Sequence, residues 1–199
     1  QYLLGSDRVE TYDKRLFTRV MDNAATPTEI KNCLLALTRA MWAYYGKQVV
    51  LLIDEYDVPL AKANELGYYD EMVRLIRGIF GSALKTNHNL YFAVLTGCLR
   101  VAKESIFTGV NNFNTFTITD VDFDEYFGFT DAEVKEMLEE YQLGSSYEDV
   151  REWYDGYRFG NVDVYCPWDV INYCADHRND QKMPPQNYWL NTSGNAIVR

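Results

Sequence analysis

The feature that most constrains the fold is a short, continuously apolar segment that is followed directly by acidic residues. Val49 to Ile53 is rich in β-branched side chains, with Gly46 shortly before it and Asp54 and Glu55 directly after it. An apolar run of this length predicts a strand that is buried on both faces, as strands of parallel sheets are. The segment therefore predicts a parallel sheet with helices packed on it.

A crossover unit is predicted around this strand. Thr26 and Pro27 begin a helix that apolar residues, spaced three and four apart, continue to about Tyr45. Residues 69–85 predict a second helix, and Leu90 to Leu95 a second buried strand. Because a strand, a helix and a strand in this order form a crossover, the two strands are expected to be parallel.

The character of the sequence changes near Asp120. Before it, a helix is predicted over residues 101–107 and a strand over residues 113–119. After it, helices are predicted over residues 130–141, 147–153 and 167–175, with a short strand at 162–165. The predicted fold class is α/β, with a parallel sheet and flanking helices in residues 1–120 and a small, mainly helical subdomain in residues 121–199.

Composition argues against several classes of function. The net charge of −10 disfavours direct binding of nucleic acid by this segment, because proteins that hold nucleic acid through its phosphates normally present a basic face. The apolar runs are too short to cross a membrane, and no secretory signal opens the chain. A zinc site is not expected from four widely separated cysteines and two histidines, so we predict reduced thiols in a cytoplasmic protein.

The acids that follow the first strand are the first candidate site residues. Ligands of parallel sheets bind at the carboxyl ends of the strands, and adjacent acids in an extended chain point to opposite sides. Asp54 can hold Mg²⁺, which prefers carboxylate oxygen, and Glu55 can polarise a water for attack on a γ-phosphate. This is the division of roles in a Walker B motif. The simpler interpretation is that both acids only solvate the end of a buried strand.

A hydroxyl at the end of the second strand supports the catalytic interpretation. Thr96 is expected at the same sheet edge as Asp54, where P-loop ATPases with an added strand carry a polar sensor that hydrogen-bonds the attacking water or the γ-phosphate. Gly97 permits a close approach of the backbone. Arg100 and Lys103 follow with cationic side chains that could reach phosphate, or that could simply be solvated at the start of a helix.

Five segments together resemble the bacterial AAA-ATPase-like family of the P-loop NTPase superfamily. They span residues 51–60, 95–107, 127–130, 154–160 and 188–195. Members of this family normally begin with a Walker A strand and a Gly-Lys-Thr loop, which would lie upstream of Gln1. Many end with a PD-(D/E)XK nuclease-like domain, which would lie downstream of Arg199.

The resemblance implies that residues 1–120 are the C-terminal part of an ATPase core and that ATP and Mg²⁺ are cofactors of the intact parent protein. It also implies a possible nuclease-like domain in cis. However, the chain has no Gly-x-x-x-x-Gly-Lys-Ser/Thr segment, and Gly46-Lys47 lacks the hydroxyl and the upstream glycine of such a loop. We therefore expect the isolated chain to be inactive as a nucleoside-triphosphate hydrolase.

Two other functions remain open from the sequence. The fold could be a non-catalytic interaction module or scaffold for a nuclease-like domain, with vestigial acids. A nuclease metal site formed by Asp54, Glu55 and Asp57 is disfavoured, because no lysine stands two residues beyond the second acid. The segment Tyr154 to Gly160 is interpreted as a glycine-bracketed turn, with Asp155 and Arg158 able to pair locally. A loop that relays nucleotide state is the alternative.

The absence of a phosphate-binding strand generates a prediction about stability. In this superfamily that strand usually lies inside the sheet, so we expect the isolated chain to expose an apolar sheet edge and to be less stable than an intact domain. Thermal unfolding of this chain and of a longer protein that includes the Walker A strand measures the difference. A longer protein that melts no higher than this chain would contradict the expectation.

Overall fold

The computed structural model describes residues 2–98, 106–107, 114–178, 180 and 182–189. The chain divides into two compact units, Gln1–Phe113 and Asn114–Arg199, and each is described by itself. The helix expected over residues 101–107 lies mostly outside the described residues. The expected domain boundary at residue 120, between part of an ATPase core and a small helical subdomain, stays a prediction.

The first unit is mixed α/β. Its described elements are α1 (Tyr2–Gly5), α2 (Thr11–Met21), α3 (Pro27–Tyr45), β1 (Val49–Ile53), α4 (Val58–Glu65), α5 (Tyr69–Leu84) and β2 (Leu90–Leu95). Both strands and the helices α3 and α5 confirm the sequence pattern to within one residue. The helix α4 was not predicted, although Asp57 followed by Pro59 is a helix-start signal.

Local chemistry explains the bounds of α3. The hydroxyl of Thr26 accepts a hydrogen bond from the backbone N–H of Glu29 (3.3 Å), and the Glu29 carboxylate accepts one from the backbone N–H of Thr26 (2.7 Å). This reciprocal pair satisfies two donors that a helix start otherwise leaves unpaired. At the other end, Gly46 has a φ of +66°, a left-handed conformation that glycine adopts without steric cost.

The strands β1 and β2 are parallel, as predicted, with Ile53 opposite Leu95 at the end of the register. On one face, alternate residues of both strands pack against a core cluster that includes Val73, Ile76 and Phe80 of α5. The helices α4 and α5 provide the crossover between the strands. This face is built as the sequence predicted.

The expectation that both faces are buried is wrong for the described part of the unit. The opposite face carries Val50, Leu52, Phe92 and Val94, which are 45, 71, 46 and 45 % exposed. The register sets Val50 opposite Phe92 and Leu52 opposite Val94, so the four side chains form one patch, here called the open face. A continuous apolar run cannot reveal which of its faces is covered, because both faces read as apolar.

The second unit combines helices with a small antiparallel sheet. Its described elements are β3 (Phe129–Thr130), α6 (Asp131–Glu140), a 3₁₀ turn (Gly144–Ser146), α7 (Tyr147–Tyr154), β4 (Asp155–Phe159), β5 (Val162–Tyr165) and α8 (Pro167–His177). The strand order is β3-β5-β4. The three predicted helices and the predicted strand β5 are present. The capping box that begins α6 at Thr130 is confirmed.

Two expectations in the second unit are wrong. The segment Tyr154 to Gly160 is not an isolated turn, because it contains β4, which forms a hairpin with β5. Arg158 accordingly contacts Asp163 across the hairpin (2.8 Å) and not Asp155. A strand was also expected over residues 113–119, but residues 114–119 form none. Instead, the Asp120 carboxylate accepts a hydrogen bond from the backbone N–H of Thr117 (2.6 Å), which stabilises a turn.

A polar cluster at the start of α6 ties three elements of the second unit together. The Asp131 carboxylate accepts hydrogen bonds from Lys135 (2.7 Å), Tyr165 (3.0 Å) and Tyr147. The bond from the Lys135 ammonium group, followed by the bond from the Tyr147 hydroxyl, lowers the pKa of Asp131 from 3.8 to about 2. Donors to a carboxylate favour its charged form.

The lowered pKa of Asp131 predicts acid sensitivity. Because the folded-state pKa lies below the unfolded value, this carboxylate stabilises the fold above about pH 4, and the contribution is lost as the pH falls from 4 toward 2. Urea unfolding between pH 5 and pH 2 should show a steeper loss of stability in the wild type than in Asp131→Asn, which has no proton to gain. Parallel pH profiles would refute the assignment.

Candidate functional site

The ends of β1 and β2 are held together beyond the last paired residues. The backbone N–H of Thr96 donates to the carbonyl of Ile53 (2.9 Å), and the backbone N–H of Tyr56 donates to the carbonyl of Thr96 (3.0 Å). These bonds continue the parallel pairing into the loops that follow the strands. As a result, the residues directly after β1 lie beside Thr96.

Asp54 and Thr96 lie at one sheet edge, as the sequence predicted, and they are also in direct contact, which it did not predict. The Thr96 hydroxyl donates a short hydrogen bond to Oδ1 of Asp54. The same oxygen accepts a bond from the backbone N–H of Glu55 (3.0 Å). Among the described residues, no hydrogen bond ends on Oδ2 of Asp54, and the residue is exposed. The second carboxylate oxygen is therefore accessible to a ligand from solvent.

Glu55 has an unusual backbone. Its φ is +51°, in the left-handed region, which costs a residue with a Cβ about 1–2 kcal/mol. Its carbonyl accepts a bond from the N–H of Val58 (3.1 Å), so the start of α4 helps to hold it there. The side chain is exposed and forms no hydrogen bond with any described residue. Backbone strain of this kind concentrates at functional sites.

Gly97 is required by close packing and not by its own backbone. A Cβ at this position would lie 2.7 Å from Oδ1 of Asp57 and 2.9 Å from the ring of Tyr56. Such distances force a shift of the buried carboxylate or the ring. The sequence anticipated a close approach at Gly97, but not that the loop after β1 is what approaches it.

Asp57 does not share the environment of the two preceding acids. It is 3 % exposed and stands at the start of α4, whereas Asp54 and Glu55 are exposed. The described part of the chain holds no group of three or more acidic, histidine or cysteine side chains placed to bind a metal. The described geometry therefore gives no support to a three-acid nuclease centre.

The remaining predicted site residue is Arg100. It lies outside the described residues, as does Lys103, so an Arg100 contact with phosphate stays a prediction. Tyr56 was not singled out by the sequence. Its ring packs edge-on against Phe80 and Phe107 at centroid distances of 6.5 and 5.5 Å, which anchors the loop after β1 to the core.

The donor set at this edge suits Mg²⁺ in part. Mg²⁺ is held by one or two carboxylates together with substrate phosphates and water. Asp54 supplies such a carboxylate, and the hydrogen bonds from Thr96 and Glu55 fix its orientation. The described residues provide hard oxygen ligands but no backbone loop that could hold phosphate beside them.

The strain at Glu55 generates a prediction about stability. Replacement by glycine removes the steric cost of the left-handed backbone, so Glu55→Gly should raise the free energy of unfolding by about 1 kcal/mol. Urea unfolding of the chain measures it. The control is Glu136→Gly, an exposed position inside α6, where glycine should lower stability by about 1 kcal/mol. Equal losses at both positions would show that Glu55 is not strained.

Comparisons with known proteins agree with the resemblance of the motifs. The sequence model of the AAA-ATPase-like family, described as a predicted AAA-ATPase, matches residues 6–107, just over half of the chain. An "Uncharacterized protein in vnfD 5'region" from Azotobacter chroococcum mcd 1 is 28 % identical over 170 residues, which cover 85 % of this chain.

The chain spans about a third (32 %) of the length of that curated relative. No solved structure matches the chain. None of the described helices is long and apolar enough to cross a membrane. The family match includes both strands and the loops that carry Asp54, Glu55 and Thr96. The chain belongs to the AAA-ATPase-like family.

Proposed function

We propose that this chain carries the acidic half of an ATP-hydrolysing site of the P-loop type. The observation that carries the proposal is the contact between Asp54 and Thr96 at the carboxyl ends of two parallel strands, with Glu55 exposed beside it. Ligands bind at this edge of open parallel sheets. Membership of the AAA-ATPase-like family supports the assignment of ATP as the ligand.

Each residue has a distinct role in this proposal. Asp54 holds Mg²⁺ that arrives with the nucleotide, and the ion neutralises charge on the phosphate oxygens. Glu55 accepts a hydrogen bond from the attacking water and orients it, which an exposed carboxylate without protein partners can do. Arg100 assists at the γ-phosphate. From the sequence alone, the Thr96 hydroxyl is also assigned a contact with the γ-phosphate.

The phosphate-binding loop is proposed to come from a longer protein. The chain contains no Gly-Lys-Ser/Thr segment, and its curated relative is about three times as long as the matched region. Without backbone amides and a lysine around the β- and γ-phosphates, nucleotide affinity is poor. We therefore propose that this chain does not turn over ATP unaided. A nuclease-like domain in cis remains part of the proposal for the parent protein.

Exchange of the proposed water-orienting carboxylate tests the assignment. In the longer protein, Glu55→Gln should lower ATP turnover by about 10²–10⁴-fold, because the amide is a poor base. Bound ATP should persist, since Asp54 and the phosphate contacts are retained. Radiolabelled ATP turnover and retention on a filter measure both. Glu65→Gln makes the same chemical change at an exposed position of α4 and should leave turnover unaffected. Full turnover in Glu55→Gln would contradict the proposal.

The open face favours a second candidate function. Exposed apolar side chains on one sheet face are typical of surfaces that another protein segment covers. An interaction module or scaffold with vestigial acids would use this face and would need no nucleotide. ATP binding by the longer protein separates the candidates, because a scaffold shows none.

A further inference from the structure

We propose that Thr96 is a positioning residue that orients Asp54 for the metal ion, and not a direct sensor of the γ-phosphate. The inference rests on the proposed ATPase function of this site. It changes the role that the sequence assigns to Thr96. The structural basis is the hydrogen bond from the Thr96 hydroxyl to Oδ1 of Asp54.

The count of protons at Thr96 argues for this role. A threonine hydroxyl has one proton to donate, and an ionised carboxylate can only accept. The oxygens of an ionised γ-phosphate also only accept. While Thr96 donates to Asp54, its hydroxyl therefore has no proton for the phosphate. A sensor that hydrogen-bonds the γ-phosphate would have to release Asp54 first.

The backbone of Thr96 is fixed beside Asp54 by its own hydrogen bonds. Its N–H donates to the carbonyl of Ile53, the last residue of β1 (2.9 Å), and its carbonyl accepts from the N–H of Tyr56 in the loop after β1 (3.0 Å). The next residue, Gly97, packs against the same loop so closely that a Cβ would meet the Asp57 carboxylate at 2.7 Å. The N–H, the carbonyl and the hydroxyl of Thr96 are therefore all bonded to the end of β1 or to the loop that follows it.

The consequence for Asp54 is a fixed carboxylate plane. Oδ1 accepts from Thr96 and from the backbone N–H of Glu55 (3.0 Å), which opposes rotation of the carboxylate. Oδ2, which accepts no hydrogen bond from the described residues, is left for the ion. A residue that orients a metal ligand typically contributes about 10–100-fold to metal affinity or activity.

Metal binding with ADP separates the two roles, because ADP has no γ-phosphate. In the longer protein with saturating ADP, Mn²⁺ binding followed by electron paramagnetic resonance should be about tenfold weaker for Thr96→Val. Thr96→Ser keeps the hydroxyl and should bind Mn²⁺ within about threefold of the wild type. Unchanged Mn²⁺ affinity in Thr96→Val would overturn the proposal and return Thr96 to the role of a γ-phosphate sensor.

A second measurement does not depend on nucleotide. In the 199-residue chain, thermal unfolding of Thr96→Val, Asp54→Ala and the double variant should be non-additive, since the residues are in contact. Additive shifts would overturn the proposal, because the hydrogen bond would then contribute nothing. A third outcome is that the double-mutant cycle is non-additive but the wild-type longer protein binds no ADP. In that case the proposed ATPase function is wrong, and so is the metal-binding role of Asp54.

Discussion

The parallel pairing of β1 and β2 is the interaction on which the site depends. Asp54 and Thr96 are separated by 42 positions in the sequence, and the register with Ile53 opposite Leu95 brings them into contact. A slip of two residues would keep the apolar faces in place but move Thr96 by about 6.6 Å, out of reach of Asp54. The packing of one sheet face on α5 therefore sets the geometry of the polar edge.

Sequence patterns predicted those helices and strands that are determined by interactions between residues close in sequence. The capped helices that begin after Thr26 and Thr130 were found, because a hydroxyl and a glutamate three residues later satisfy the helix start by themselves. The two parallel strands were found because their apolar runs are too short for helices and rich in β-branched or aromatic side chains, which favours buried strands. The placement of Asp54 and Thr96 at one sheet edge followed from topology alone, since the carboxyl ends of parallel strands meet there, but their hydrogen bond was not predicted.

The hairpin of β4 and β5 had a local signal that was missed, since Gly160-Asn161 is a two-residue hairpin connection. Gly156, where the register of β4 against β5 shifts as in a β-bulge, made the segment 154–160 look like a turn.

Features that depend on tertiary contacts were not predictable. The left-handed backbone of Glu55 has no sequence signal, because glutamate is an unusual residue for it. The packing of Gly97 against Asp57 required both loops to be placed. The exposure of Leu52 depends on which segments cover the sheet.

The open face affects the folding of the protein during its synthesis. Its two strands are joined by residues 54–89 and pair only with each other among the described residues, which leave Leu52 71 % and Phe92 46 % exposed. Until cover arrives, an apolar surface of this kind attracts chaperones and other unfolded chains. Substitutions on the open face therefore act first on the yield of folded protein, since none of its four side chains belongs to the polar edge that carries Asp54.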